Sequence, residues 1–183
     1  MSGESSARKS LRIPVSVVLE RRIARVGPWS QAQWEAVAAV AGEEVASGRG
    51  SATLVHEDDE CRRYLWPGLV VELFADGCES YWYNLLSERP SLFVVCFERD
   101  EEEDDEVELI PAIVTASQDE ANAHMESDDP VYSVPMPEKI VEQVERYVVE
   151  NYEPEVKKKR RRADWARESE DTARERTGPR RLH

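Results

Sequence analysis

The residues of this chain that could perform chemistry are few, and one short segment holds most of them. His56 is followed by Glu57, Asp58, Asp59 and Cys61, and imidazole, carboxylate and thiol groups are all metal ligands. Their spacing matches no established zinc or calcium motif, and the segment has the composition of a polar turn. A solvated acidic turn is therefore the favoured interpretation, with a metal site as the alternative.

No sequence motif indicates a catalytic site. The other two histidines are His124 and His183, and the chain contains no phosphate-binding loop, nucleophile elbow or dinucleotide fingerprint. A Ser/His/Asp triad converges only in space, so the sequence leaves it open. Acidic residues are too numerous for any carboxylate pair to stand out. We therefore predict no catalytic, cofactor-binding or metal-binding residue. Because few side chains in the sequence are candidates for catalysis, a protein that is not an enzyme is favoured.

The cysteines and the apolar segments predict the compartment. Cys61, Cys78 and Cys96 are odd in number and far apart, which indicates reduced structural thiols rather than a disulfide framework or a zinc ribbon. The N-terminus has no apolar signal core, and no segment approaches the roughly 20 apolar residues of a spanning helix. We expect a soluble, cytoplasmic protein with no membrane partner.

Charge divides the chain near Pro154. The 183 residues carry a net charge of −14, but residues 154–183 contain 11 basic and 6 acidic residues, a net charge of +5, which leaves −19 on the remainder. An acidic body repels nucleic acid and anionic membranes. A nucleic-acid partner is therefore disfavoured, and only the basic tail could approach one.

The tail contains the one set of residues that we predict to bind a partner. A basic run is followed by a single tryptophan in a segment without an apolar stripe, which predicts a disordered or partly helical docking tail. A solvated tail that binds nothing is the alternative. The predicted partner-binding residues are Lys157, Lys158, Lys159, Arg160, Arg161, Arg162 and Trp165.

Most of the secondary-structure elements that the sequence predicts are strands. Residues 13–19 alternate with period two, and 81–86 and 92–97 are rich in aromatic and β-branched residues, so we predict a hairpin with a turn at 87–90. Residues 28–42 are ambiguous, because a Ser30–Gln33 capping box favours helix while Trp34, Ala36, Ala38 and Val40 alternate. Residues 100–106 are seven consecutive acids and predict a solvated loop.

Two helices are predicted in the C-terminal half. Ser117 can cap a short helix over 118–125. Pro137 suits the first position of a second helix, over 137–152, whose apolar residues form one stripe. The predicted fold class is α+β: a mainly antiparallel β-sheet or small barrel packed by this C-terminal helix. The predicted organisation is a mobile leader at 1–11, a compact β-rich domain at 12–153 and the basic tail at 154–183.

Several motifs, taken together and in order, resemble a bacterial family of small proteins known as a domain of unknown function. They are PVSVVLERR (14–22), PW (28–29), W-x-A-V-x-x-V-x-G (34–42), YWYNL (81–85), PSLFVV (90–95), VTAS (114–117), PVYSVPMPE (130–138) and the basic run after EPEVKK (153–158). Genes of that family occur beside molybdenum-dependent formate dehydrogenase and its maturation factors. Some members are labelled molybdopterin-guanine dinucleotide biosynthesis proteins. The resemblance also implies a strand at 34–42, which decides the ambiguity in favour of strand.

The resemblance implies a non-catalytic accessory or protein-interaction factor in maturation or assembly of a molybdenum-dependent formate dehydrogenase. The expected partners are formate dehydrogenase subunits or maturation factors, and no cofactor is expected. The alternatives are an undiscovered enzyme of molybdenum-cofactor biosynthesis and a nucleic-acid-binding module that uses the basic tail. A nucleotidyltransferase is disfavoured. In such an enzyme the first strand leads into a glycine-rich loop that binds phosphates, whereas in this chain the first predicted strand leads into LERRIAR (19–25), which contains no glycine.

Overall fold

A computed structural model describes residues 10–27, 29–42, 51–99 and 107–152. The acidic run at 100–106, the basic tail at 154–183 and residues 1–9 of the predicted leader lie outside the described residues. The strands are β1 Leu11–Val26, β2 Trp29–Ala41, β3 Thr53–Glu57, β4 Cys61–Leu73, β5 Ser91–Glu98, β6 Leu109–Thr115 and β7 Val131–Pro135. The α-helices are α1 Cys78–Leu85, α2 Gln118–Glu126 and α3 Glu138–Asn151.

The seven described strands form one sheet that curls into a nearly closed barrel. The strand order is β2-β1-β4-β6-β5-β7, and β3 pairs with β4 beside this path. Every pairing is antiparallel except that of β4 with β6. The two terminal strands of the order, β2 and β7, lie against each other. The prediction of a mainly antiparallel sheet or small barrel with a C-terminal helix is confirmed.

The core follows from the period-two pattern of β1. Ile13, Val15, Val17 and Leu19 are all buried on one face of the strand, because alternate side chains of a strand point to the same side. On β4 the pattern is interrupted at Pro67-Gly68, where Gly68 has a φ of +82° and the register with β1 shifts. Glycine adopts this backbone conformation without steric cost, so β4 continues through a bulge.

Helix α3 covers one part of the core. Its buried residues Ile140, Val144, Tyr147 and Val148 have helical spacing and belong to the same apolar cluster as the β1 residues. The predicted stripe is thereby confirmed, and the helix begins one residue after Pro137. Helix α2 is also confirmed: Ser117 Oγ accepts a hydrogen bond from the backbone N–H of Glu120 at 3.2 Å.

The interpretation of residues 28–42 as a strand is confirmed, since Trp29–Ala41 pairs with β1 along its length.

The first half of the predicted hairpin is wrong, because Tyr81–Leu85 belongs to helix α1. Cys78 and Tyr81 are buried in the core cluster at helical spacing, and this burial outweighs the strand preference of the aromatic residues. The second half of the hairpin is confirmed as β5, which lies between β6 and β7.

Candidate functional site

Six polar residues lie together on the outer side of β1, β3 and β4; we call this group the polar cluster. Val17 and Leu19 face the core, so Glu20 and Arg22 emerge on the opposite face of β1. The β1–β4 register sets Glu20 opposite Arg63 and Arg22 opposite Cys61, and the β3–β4 register sets His56 opposite Arg63. The members of the polar cluster are Glu20, Arg22, His56, Asp58, Cys61 and Arg63.

Glu20 is the buried centre of one half of the polar cluster. Its Oε2 accepts a hydrogen bond from Arg63 Nε at 2.6 Å, and its Oε1 accepts one from Arg22 Nη2 at 2.6 Å. Only 5% of Glu20 is exposed, although it lies on the outer face of the strand. The hydrogen bond from Arg63 lowers the pKa of Glu20, although burial opposes the shift and Arg22 adds to it. This half is a structural ion network that joins β1 to β4.

Asp58 is the shared hydrogen-bond acceptor in the other half of the polar cluster. Its Oδ1 accepts backbone hydrogen bonds from Glu60 N at 2.8 Å and from Cys61 N at 2.7 Å. Its Oδ2 lies 3.0 Å from His56 Nε2 and accepts from Cys61 Sγ at 3.7 Å. These bonds, chiefly those from the Cys61 and Glu60 amides, hold the pKa of Asp58 well below its usual range. The carboxylate is therefore charged and fixed between an imidazole and a thiol.

The same geometry opposes nucleophilic catalysis by Cys61. Burial, followed by the charges of Asp58 and Glu20, raises the pKa of the Cys61 thiol. A nucleophilic cysteine requires a lowered pKa and an adjacent base, whereas here the carboxylate separates the thiol from the imidazole. Cys78 and Cys96 are buried free thiols, and burial raises the pKa of Cys96 to about 12.

Strand β3 is an edge strand beside the polar cluster. All five of its residues are exposed, including Leu54 at 44% and Val55 at 52%. Within the described ranges β3 pairs only with β4, and Val55 is an extra residue between two paired positions. An edge strand with unpaired main-chain groups is a template for addition of another strand. We call this feature the β3 edge.

The structure brings together part of what the sequence singled out. Of the segment 56–61 it unites His56, Asp58 and Cys61, whereas Glu57 forms a separate ion pair with Arg62 at 2.7 Å. Sequence reasoning missed Glu20 and Arg63, because they are 43 positions apart and meet only through the β1–β4 register. The available signal was the charged residues at 20–22, which interrupt the apolar alternation of β1. The predicted partner-binding residues, 157–162 and Trp165, lie outside the described residues.

The family of the chain is evident from its sequence. The family model described as "Protein of unknown function (DUF3305)" matches residues 14–161, which include β2 through α3 and most of β1. No curated protein and no solved structure showed a significant match. None of the helices in the described residues is long and apolar enough to cross a membrane.

Proposed function

The chain belongs to the DUF3305 family, whose function is unknown, and we propose that it is a non-catalytic accessory factor that binds another protein. We further propose that it acts in the cytoplasm, in maturation or assembly of a molybdenum-dependent formate dehydrogenase. The pathway rests on the family resemblance in the sequence. The mode of action rests on the β3 edge.

The β3 edge is the single observation that carries the proposal of protein binding. An extended segment of a partner gains main-chain hydrogen bonds when it adds to an exposed edge strand, and side chains beside the edge supply specificity. Leu54 and Val55 offer exposed apolar side chains at this edge. Arg22 on β1 and Arg63 on β4 keep 59% and 44% of their side chains exposed, so they can select the register of a charged partner segment.

The thiols and the grooves favour binding over catalysis. Each cysteine has a raised pKa, so none is activated for attack. Two grooves among the described residues are open to solvent, with volumes of about 340 and 410 Å³, whereas an enzyme that acts on small molecules usually encloses its substrate. These features support a partner that contacts the surface.

The basic tail is proposed as a second contact. Lys157–Arg162 would steer an acidic partner, because exposed charges raise association rates more than affinity. Trp165 would supply an apolar anchor, since tryptophan is enriched among residues that dominate binding energy. The charge reversal at Pro154 is the observation that motivates this contact.

Co-purification from the native host tests the proposal. The full-length chain carries an affinity tag, and formate dehydrogenase subunits and maturation factors are quantified by mass spectrometry. We expect enrichment with the wild type and its loss with the double variant Leu54→Lys, Val55→Lys. Val149→Lys is the matched control, because Val149 is 72% exposed on α3. Absence of these proteins from the wild-type sample would refute the pathway, and equal recovery with the β3 variant would refute the interface.

A further inference from the structure

We infer that His56, Asp58 and Cys61 form a binding site for one divalent transition-metal ion of the zinc class. This inference is independent of the proposed function. The site joins three segments that the fold holds together: the end of β3, the β3–β4 turn and the first residue of β4. One ligand atom from each residue is available, and all three atoms lie within 4.8 Å of one another.

The spacing of the ligand atoms suits a tetrahedral ion. Zinc binds nitrogen and oxygen at about 2.0–2.2 Å and thiolate sulfur at about 2.3 Å, so neighbouring ligand atoms lie roughly 3.3–3.8 Å apart. Asp58 Oδ2 is 3.0 Å from His56 Nε2 and 3.7 Å from Cys61 Sγ. His56 Nε2 and Cys61 Sγ lie within 4.8 Å of each other, so side-chain rotation that shortens this third distance places all three atoms around one ion.

Asp58 is already oriented for coordination. Its Oδ1 is occupied by the amides of Glu60 and Cys61, which leaves Oδ2 directed toward the histidine and the cysteine. A ligand that is held by hydrogen bonds from outside the first coordination shell loses little freedom when the metal binds. His56 and Cys61 are attached to adjacent paired strands, so their backbones are fixed relative to each other.

The charges also balance. When the metal binds, the Cys61 S–H bond breaks, its proton passes to solvent and a sulfur–metal bond forms. One thiolate and one carboxylate then neutralise the divalent ion, and His56 coordinates as the neutral imidazole. Arg22 and Arg63 do not compete for Asp58 in this geometry, because both donate to Glu20. Three protein ligands leave a fourth position for water.

The ligand set selects a class of metal. Magnesium and calcium prefer six or more oxygen ligands, and this site offers one carboxylate beside a thiol and an imidazole. Sulfur and nitrogen donors favour zinc and chemically similar ions.

Metal binding by the full-length protein tests the inference. Reduced, metal-stripped protein is titrated with Zn²⁺ in competition with a chromophoric chelator, and with Co²⁺ to detect a thiolate-to-cobalt charge-transfer band. We expect one equivalent to bind with a cobalt–thiolate band. Cys61→Ser should abolish the band, and His56→Gln should weaken Zn²⁺ binding by more than the roughly 10- to 100-fold typical for loss of an outer-shell partner.

A second histidine–aspartate pair provides the matched control. His124 Nδ1 lies 2.9 Å from Asp129 Oδ2, and neither residue belongs to the three-residue ligand group. His124→Gln should therefore bind Zn²⁺ as the wild type does. His56 is exposed, so His56→Gln is expected to retain the fold, which circular dichroism can check. The inference is overturned if the wild type binds no Zn²⁺, or if His56→Gln and Cys61→Ser bind it with unchanged affinity.

Discussion

The side-chain amide of Asn84 pairs with the backbone of Ser91 as a neighbouring strand would. Asn84 Oδ1 accepts from Ser91 N at 3.0 Å, and Asn84 Nδ2 donates to Ser91 O at 2.7 Å. The same Nδ2 also donates to Ala116 O at 2.8 Å. One buried side chain of α1 is therefore bonded both to the start of β5 and to the segment that follows β6.

Removing this amide should destabilise the domain. Asn84→Ala removes the partner of the buried bond to Ala116 O and of the two part-buried bonds to Ser91. One unsatisfied buried group costs about 1–3 kcal/mol, and the part-buried groups add less because water can replace the lost partner. We expect the free energy of unfolding to fall by about 2–4 kcal/mol, measured by urea denaturation. Asn122→Ala is the control, because Asn122 is exposed on α2 and its side chain bonds to the exposed Gln118 one turn away. An Asn84→Ala protein as stable as this control would contradict the bridging role.

Asn84 lies on α1, the helix that the sequence did not predict. The strands β1 and β5 and the helices α2 and α3 follow from local periodicity, composition and capping. The local pattern of β2 was ambiguous, and the family resemblance decided it in favour of strand. Helix α1 does not, because its aromatic residues favour strand and its helical state depends on burial of Cys78 and Tyr81 in the distant core. The polar cluster was predictable only in part: His56, Asp58 and Cys61 are local in sequence, whereas Glu20 meets Arg63 through strand register.

Substitution of the buried residue Val95 tests the location of the core. It is fully buried on β5, and an unpaired charge in such a position is very costly. We expect Val95→Asp to abolish cooperative thermal unfolding. Trp82→Asp should destabilise the domain less, because Trp82 is only partly buried. Phe97→Asp is the control on the same face of the same strand, since Phe97 is 43% exposed. A soluble Val95→Asp protein with a cooperative transition would show that the core is misplaced.

Glu20 should contribute stability that depends on pH. Its pKa is lowered in the folded protein, so its contribution is present above the ordinary glutamate pKa of about 4.3 and is lost as the pH falls through the folded value. The stability difference between wild type and Glu20→Gln should therefore be largest near neutral pH and shrink on acidification. Denaturant titrations across this range provide the measurement.

The matched control for Glu20 is Glu72→Gln. Glu72 pairs with Arg12 across the β1–β4 ladder at 3.6 Å, but both side chains are exposed, and exposed pairs contribute little. A stability difference for Glu20→Gln that is flat with pH, or equal to that of Glu72→Gln, would contradict the role of the buried network.

The basic tail should affect binding rather than folding. Truncation at Pro154 removes Lys157–Arg162 and Trp165, and we expect an unchanged melting temperature with weaker capture of the formate dehydrogenase components. The control replaces Trp165 alone with alanine, which should lower affinity while the salt dependence of binding persists. Undiminished binding by the truncated protein would show that the tail is not a docking element.

Hydrogen exchange at β3 reports directly on whether a partner strand adds to the β3 edge. The full-length chain is compared alone and in complex with a partner recovered in the proposed co-purification, and exchange is followed for peptides that cover Thr53–Glu57. A strand added to the β3 edge would bond the amides that point away from β4. We predict slower exchange in β3 on binding, with little change in α3 around Val149. Unchanged exchange in β3 in a saturated complex would contradict strand addition at the β3 edge.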